Sequence, residues 1–424
     1  MNKKKYVNRN YLTTTRIIAL GFLITVIVGT ILLSLPIASA NGTWTDLLTA
    51  AFTSTTSVCV TGLVVVDTFS YWSLFGKGVI LILIQIGGLG IVSIITLFML
   101  LFRMKITLKS TMLLQDAFNL NSKQGLLKFT IKVIKGTFLI EGIGAFIYSF
   151  YYCREYGLLK GIWFSVFHAV SAFCNAGLDI MGADSLIPYH SNLLMMLNTS
   201  FLIIMGGIGF IVWWDTVEAF RRIRTKRCSI RSAWNGVHLQ TKIAIFMTLL
   251  LLIGGTVVIY FLERSNPDTL GNLSEKDRIL NAFFQSVTLR TAGFAAVPQA
   301  ALRPVTAFFG ALLMMIGGSP VGTAGGMKTV TIAVIFFTFA AMIRNHEDTE
   351  VFKRNIPVSV VKKAVAIVFL SMSTIFIMTI LLMATNDVNL LDALFEVASA
   401  VCTVGLSRNL TPVLNTAGQI IIMI

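Results

Sequence analysis

Charge is what this 424-residue chain has least of. Only 12% of its residues are Asp, Glu, Lys or Arg, where soluble domains carry about 25%. That deficit excludes a large water-soluble enzyme, whose surface would need far more. Acidic residues number 19 against 34 basic ones, a formal net charge of +15. In a membrane protein such an excess reports orientation rather than nucleic-acid binding. Histidine is scarcer still, with only His168, His190, His238 and His346. Neither a metal-spaced cluster nor a phosphate-cradling loop occurs, so nothing points to an enzyme. His168 reads as a packed, hydrogen-bonded histidine rather than a proton relay. The five cysteines form no disulfide pattern. Cys59, Cys174 and Cys402 each stand three residues before a recurring glycine. No His or acidic residue shares that register, so they read as small packed residues and not as metal ligands.

What the chain does have is apolar length. Hydrophobic residues make up 55% of it and the mean hydropathy is +0.81, which implies an integral membrane protein with several spans. No cleavable signal peptide is evident: basic residues lead into an apolar run from Ile17 to Leu35 that is long enough to cross.

Within this background a glycine recurs as Gly62, Gly177, Gly293 and Gly405, at gaps of 115, 116 and 112 residues. Each closes a short run: Val60-Thr61-Gly62-Leu63, Asn175-Ala176-Gly177-Leu178, Thr291-Ala292-Gly293-Phe294 and Thr403-Val404-Gly405-Leu406. Ten residues before each stands Phe52, Phe167, Phe283 or Phe395. A period kept four times means four copies of one structural unit. The expected fold is all-α and membrane-integral, with four tandem helix–pore loop–helix repeats around a pseudo-four-fold axis. The repeats divide as 1–102, 103–220, 221–343 and 344–424.

Each repeat reads as an outer helix, a short segment, the glycine loop and an inner helix. The outer helices fall at about Arg16 to Leu35, Val133 to Tyr152, Ile243 to Leu262 and Ala364 to Ala384. The short segments lie at about Thr45 to Ser57, Gly161 to Phe173, Asp277 to Thr288 and Leu391 to Val401. At about 1.5 Å per residue these cannot cross a core of about 30 Å, so each enters and returns. The inner helices fall at about Gly76 to Phe102, Asn192 to Trp214 and Pro304 to Ile343.

Segments 1–16, 103–135, 221–242 and 344–363 hold 24 of the 34 Lys and Arg. The positive-inside rule makes these cytoplasmic, the N-terminus included, and opens all four glycine loops to the outside. Four loops facing one way are parallel repeats about an axis normal to the membrane.

The inner helices carry a second mark: Gly87-Gly88, Gly206-Gly207 and Gly317-Gly318, at 25, 29 and 24 residues after their loop glycines. The first two read as sites of close helix packing. The third differs, because the run Gly317, Gly318, Ser319, Pro320, Val321, Gly322, Thr323, Ala324, Gly325, Gly326, Met327, Lys328 holds five glycines and a proline. A helix does not survive that composition. A broken helix beneath a conduction path reads as a gate, with Lys328 as the lysine inside a span. By the same spacing the fourth inner-helix glycines fall at about position 430, past Ile424, so the sequence reads as a fragment lacking the end of that helix.

The chemistry expected is dehydration and coordination of a cation by backbone carbonyls. The ion-lining residues are Val60, Thr61, Gly62, Asn175, Ala176, Gly177, Thr291, Ala292, Gly293, Thr403, Val404 and Gly405. Glycine supplies the left-handed backbone that consecutive inward carbonyls need. The short segments aim the negative ends of their dipoles at the same point. Arg290 is the one charge flanking these loops, and the expected partner of so buried a cation is Glu396 or Asp46.

With these motifs the chain resembles the Trk/Ktr/HKT superfamily of potassium transporters, and within it the membrane subunits of bacterial Ktr systems. The matching residues are the four glycine loops, Arg290-Thr291-Ala292-Gly293-Phe294 among them, and the glycine pairs of the inner helices. The resemblance implies K⁺ uptake across the bacterial cell membrane with Na⁺ dependence, and a homodimer. It also implies a cytoplasmic KtrA-type RCK ring that binds ATP or ADP, so nucleotide would act only through the partner. The segment Gly317–Lys328 matches that family's intramembrane gating loop. Two other readings stay open on residues alone: a cation-coupled transporter of another small solute, and a membrane scaffold or sensor whose basic loops bind a partner.

Overall fold

A computed structural model describes residues 14–90, 93, 126–182, 184–226, 229–346, 348–352 and 354–424. Among the described residues four helices are long and apolar enough to cross a membrane: Arg16–Ser34, Leu127–Tyr156, Leu239–Glu263 and Val358–Thr385. They are the four outer helices expected. We label them α1 (Thr14–Ser34), α5 (Leu126–Tyr156), α10 (Leu239–Glu263) and α14 (Val358–Thr385).

The short helices follow at α2 (Leu47–Val58), α6 (Leu158–Cys174), α11 (Glu275–Thr288) and α15 (Leu390–Val401). Three begin at side-chain caps, which meet amide donors that a helix start leaves unpaired. Asp46 accepts from Leu48 and Thr49, Ser274 from Asp277, and Asn389 from Asp392. Small residues let the outer helices come close. The Ser54 hydroxyl donates to the Val26 carbonyl at 2.8 Å and the Ser286 hydroxyl to that of Leu252 at 3.0 Å. A Cβ at Gly29 or Gly255 would strike these same two serines.

After each loop the chain turns down into an inner helix: α4 (Leu74–Leu89) after a single turn α3 (Thr68–Tyr71), α7 (Leu193–Gly207), α12 (Pro304–Met315) and α16 (Thr416–Met423). Ser73, Asn192 and Asn415 cap three of these, and Pro304 opens the other at the position that needs no amide donor.

Of the three inner-helix spans expected, the second and third are broken in the structure. The first stops at Leu89, with Gly90 at φ +77°; the expected continuation to Phe102 lies outside the described residues, apart from Ser93. The second was expected to run unbroken to Trp214. Instead it ends at Gly207 and resumes as α8 (Phe210–Lys226), bent by 97°. Gly209 takes φ +95° at the bend, and the Gly206 and Gly207 carbonyls are taken by amides of another segment. The third is interrupted as expected, resuming as α13 (Thr329–Ile343). In the basic segment that follows, β1 (Glu350–Val351) pairs with β2 (Arg354–Asn355), a small hairpin the sequence did not announce. Another short helix, α9 (Ile230–Asn235), follows α8.

The core is densest around the short helices. Phe52, Phe167 and Phe395 are buried there as the register expects. In the third repeat the fully buried ring is Phe284, one residue later, and Phe283 is only half-buried. The third repeat is therefore one residue shorter between its buried phenylalanine and its glycine.

Candidate functional site: a ring of four glycine loops

The four loops meet, and their contacts run in cyclic order. A Cβ placed on Gly62 would collide with the Ala176 carbonyl, and one on Gly177 with the Ala292 carbonyl at 2.6 Å. One on Gly293 would meet the Val404 carbonyl at 2.7 Å, and one on Gly405 the Thr61 carbonyl. Repeat one thus touches two, two touches three, three touches four, and four touches one. The ring leaves no room for a side chain at any glycine.

Backbone conformation repeats with the same fidelity. Val60, Asn175, Thr291 and Thr403 have φ of +56°, +60°, +66° and +52°. Two residues on, Gly62, Gly177, Gly293 and Gly405 have φ of +92°, +65°, +84° and +92°. Left-handed geometry at a β-branched residue is costly and persists only where its surroundings impose it. Valine or threonine stands there in three loops, and the same pattern appears in all four.

A hydroxyl near the end of each short helix holds each loop, and sequence reasoning passed over it. Thr56 Oγ1 accepts from the Gly62 amide at 2.9 Å, and Ser399 Oγ from that of Gly405 at 3.0 Å. Ser171 Oγ donates to the Leu178 carbonyl at 2.5 Å, and Thr288 Oγ1 to that of Phe294 at 2.7 Å. The same four residues accept, through their carbonyls, from the amides of Thr61, Ala176, Ala292 and Val404. The signal was a Ser or Thr six residues before the glycine, and it was masked because the third copy, Thr288, stands five before.

On the side reached after the glycines, a cavity of about 430 Å³ opens over all four, lined also by Asp67, Asp179, Gln299 and Ser407. Glu396, fully buried, accepts from the Ser407 hydroxyl at 2.9 Å and from that of Thr411, and so ties down the limb leaving Gly405.

Glu396 is therefore not the partner of Arg290, nor is Asp46, whose carboxylate caps α2. Arg290 is buried, and its Nη2 donates to the Gly317 carbonyl at 3.3 Å. A backbone carbonyl of the broken inner helix, rather than a carboxylate, meets this cation.

The segment from Gly317 to Lys328 lies against the opposite side of the ring. The Gly325 amide donates to Thr291 Oγ1 at 3.2 Å, and a Cβ on Gly325 would strike Thr403 Oγ1. The segment doubles back on itself: Gly317 donates to Met327 at 3.0 Å, Thr329 to Gly318 at 3.0 Å, and the hydroxyls of Ser319 and Thr329 lie 2.9 Å apart. It is also fastened to the second repeat. The Ser319 amide donates to Gly207 at 2.8 Å, that of Thr323 to Gly206 at 3.1 Å, and that of Phe210 to Val321 at 2.7 Å. Thr323 Oγ1 donates to the Phe173 carbonyl at 3.0 Å. Gly318, Gly322 and Gly326 sit where a Cβ would collide with backbone or with Ala324. Lys328 Nζ donates to the Ala324 carbonyl at 2.5 Å, closing the segment.

His168 is buried, stacked 4.9 Å from the ring of Phe294 and 3.3 Å from the Tyr152 hydroxyl. Cys174 and Cys402 are buried behind their loops. Among the described residues no group of His, Cys, Asp and Glu is arranged to hold a metal.

The family model described as TrkH, cation transport protein, matches residues 3–424. The potassium/sodium uptake protein NtpJ of Enterococcus hirae is 37% identical over 98% of this chain and 90% of its own length. The Ktr system potassium uptake protein B of Bacillus subtilis is also 37% identical, over 100% of this chain and 92% of its own. The crystal structure of the potassium transporter TrkH from Vibrio parahaemolyticus superposes with a TM-score of 0.72 at 17% identity, covering 100% of this chain and 83% of that one.

Proposed function

We propose that this chain, which belongs to the TrkH family of cation transport proteins, takes up K⁺ through the ring of glycine loops and is closed by the segment Gly317–Lys328. The family is one of membrane cation transporters, not enzymes, and the relatives named for potassium uptake span nearly the whole chain. The observation that carries the reading is the closed ring itself. Four loops with left-handed backbone at two matched positions each can turn consecutive carbonyls toward one axis and stand in for the hydration shell of a cation. The short helices add the negative ends of their dipoles. Val60, Thr61, Gly62, Asn175, Ala176, Gly177, Thr291, Ala292, Gly293, Thr403, Val404 and Gly405 form this filter.

The segment Gly317–Lys328 is the gate of this proposal, because it touches Thr291 and Thr403, and the Lys328 charge would repel a passing cation in a low-dielectric passage. Arg290 supports both parts by joining the third filter loop to the first residue of the gate. The N-terminus is cytoplasmic in this reading, and the protein works as a homodimer on a nucleotide-binding RCK ring of the KtrA type. Na⁺ stimulates uptake.

The test is rubidium or potassium uptake into proteoliposomes holding the purified chain, together with rescue of a K⁺-uptake-deficient bacterium at low K⁺. K⁺-selective uptake that rises when ATP-loaded partner is added is the expected result. Transport of an uncharged solute without K⁺ flux would overturn the reading.

A further inference from the structure

The second inner helix turns through 97° and continues as α8. The fifteen residues of α7 descend about 22 Å from the outer side at about 1.5 Å each, most of a core about 30 Å thick. With α7 along the membrane normal and its start outside, as in the orientation proposed above, the elbow lies low in the membrane and the 97° bend sets α8 along the membrane plane. Aromatic and basic residues mark this level as an interface: the Lys132 ammonium sits 5.3 Å from the ring of Trp214.

Beyond that buried start, α8 presents one face that no other described residue covers. Val217 and Phe220 are 55% and 66% exposed. Arg221 and Arg224 are exposed beside them, and the spacing i, i+3, i+4, i+7 puts all four on one stripe. The next helix, α9, continues the pattern with Ile230 76% exposed and Arg231 exposed. The acidic residues of α8 are engaged elsewhere: Glu218 pairs with Arg222 at 2.6 Å, and Asp215 with His238 at 2.9 Å. Among the described residues Arg221, Arg224 and Arg231 make no ion pair.

Water suits the arginines but not Phe220 and Ile230, and hydrocarbon suits the reverse. The boundary of a leaflet satisfies both, with apolar side chains in the acyl region and guanidinium groups among phosphates. The cytoplasmic side is where anionic lipid is read by basic residues next to a span. We propose that the α8–α9 elbow binds anionic phospholipid headgroups through Arg221, Arg224 and Arg231, and that this binding sets the position of the gate. The second half rests on the gating role proposed above. The link is direct: Phe210, the first residue of α8, donates its amide to Val321 inside the Gly317–Lys328 segment, and Gly209 lies against the Pro320 carbonyl.

The test compares the full chain in nanodiscs of phosphatidylcholine with nanodiscs in which phosphatidylglycerol replaces part of that lipid, by amide hydrogen exchange over 210–235. Phosphatidylglycerol is expected to slow exchange over 216–225 severalfold in the wild type. The Arg221→Gln/Arg224→Gln double variant loses that protection, and Arg221→Lys/Arg224→Lys keeps it. Equal exchange in both lipids overturns the proposal, as does protection that appears only when a soluble cytoplasmic partner is added. Rubidium flux in matching proteoliposomes reads the second half separately. Phosphatidylglycerol-dependent protection with lipid-independent flux leaves the binding surface standing and removes its link to the gate.

Discussion

The guanidinium of Arg290 donates to the Gly317 carbonyl, joining the third glycine loop to the first residue of the segment that breaks the inner helix. This is a contact between the proposed filter and the proposed gate, made by the one charged residue among the loops. Arg290→Gln shortens the side chain and removes that tie, a hydrogen bond from a charged group contributing about 1.5–3 kcal/mol. Resting rubidium flux is expected to rise severalfold, with Arg290→Lys intermediate. Unchanged resting flux in both variants would refute the link.

Replacing a ring glycine forces a side chain against a neighbouring repeat's carbonyl and into a left-handed backbone. Gly62→Ser, Gly177→Ser, Gly293→Ser and Gly405→Ser should each raise the K⁺ concentration for half-maximal uptake tenfold or more, on the order of 1.4 kcal/mol, and admit Na⁺. Because the contacts are cyclic, each of the four matters. Wild-type affinity and discrimination in all four variants would show that the ring is not the filter.

The hydroxyls that hold the loops give a subtler test. Thr56→Val and Ser399→Ala leave the buried Gly62 amide and the partly buried Gly405 amide without their acceptors. Such an amide costs about 1–3 kcal/mol. K⁺ affinity should fall about tenfold with the protein still inserted and folded. Competition uptake with Na⁺ would reveal whether selectivity falls with it, and full retention of both would make the hydroxyls incidental.

Deleting Gly322–Gly325 removes the Gly325 contact to the third loop and the Thr323 ties to Phe173 of α6 and to Gly206. Flux through the membrane chain alone should increase, and its dependence on the nucleotide-binding partner should weaken. A deletion variant that inserts normally yet conducts no more than wild type would make the segment a strut rather than a gate.

The repeats could be read in the sequence because glycine at a ring closure has no substitute: the register of Gly62, Gly177, Gly293 and Gly405 is a steric requirement that composition cannot disguise. The outer helices were equally plain, since an apolar run facing lipid needs no partner to be recognised. Two features were hidden. The holding hydroxyls of Thr56, Ser171, Thr288 and Ser399 act through backbone atoms several residues away, and the third sits one place out of register. The bend at Gly209 depends on amides of Ser319 and Thr323, more than a hundred residues on, that take carbonyls an unbroken helix would have used. The partner of Arg290 was misjudged for a related reason: charge invites a search for opposite charge, and here a carbonyl fills that place.

A ring assembled from four identical subunits would repeat any substitution at every quarter-turn. Four arginines would then crowd one axis, and four copies of the broken helix would compete for the same space beneath it. Covalent linkage of the repeats removes that constraint. Arg290 stands once, against cysteine in the other three quarters, and Gly317–Lys328 comes from one quarter alone while reaching into the second and fourth. The molecule is thus nearly four-fold at the proposed filter and lopsided just below it, and under that proposal a single arm, moving from one side, suffices to obstruct or clear a central path.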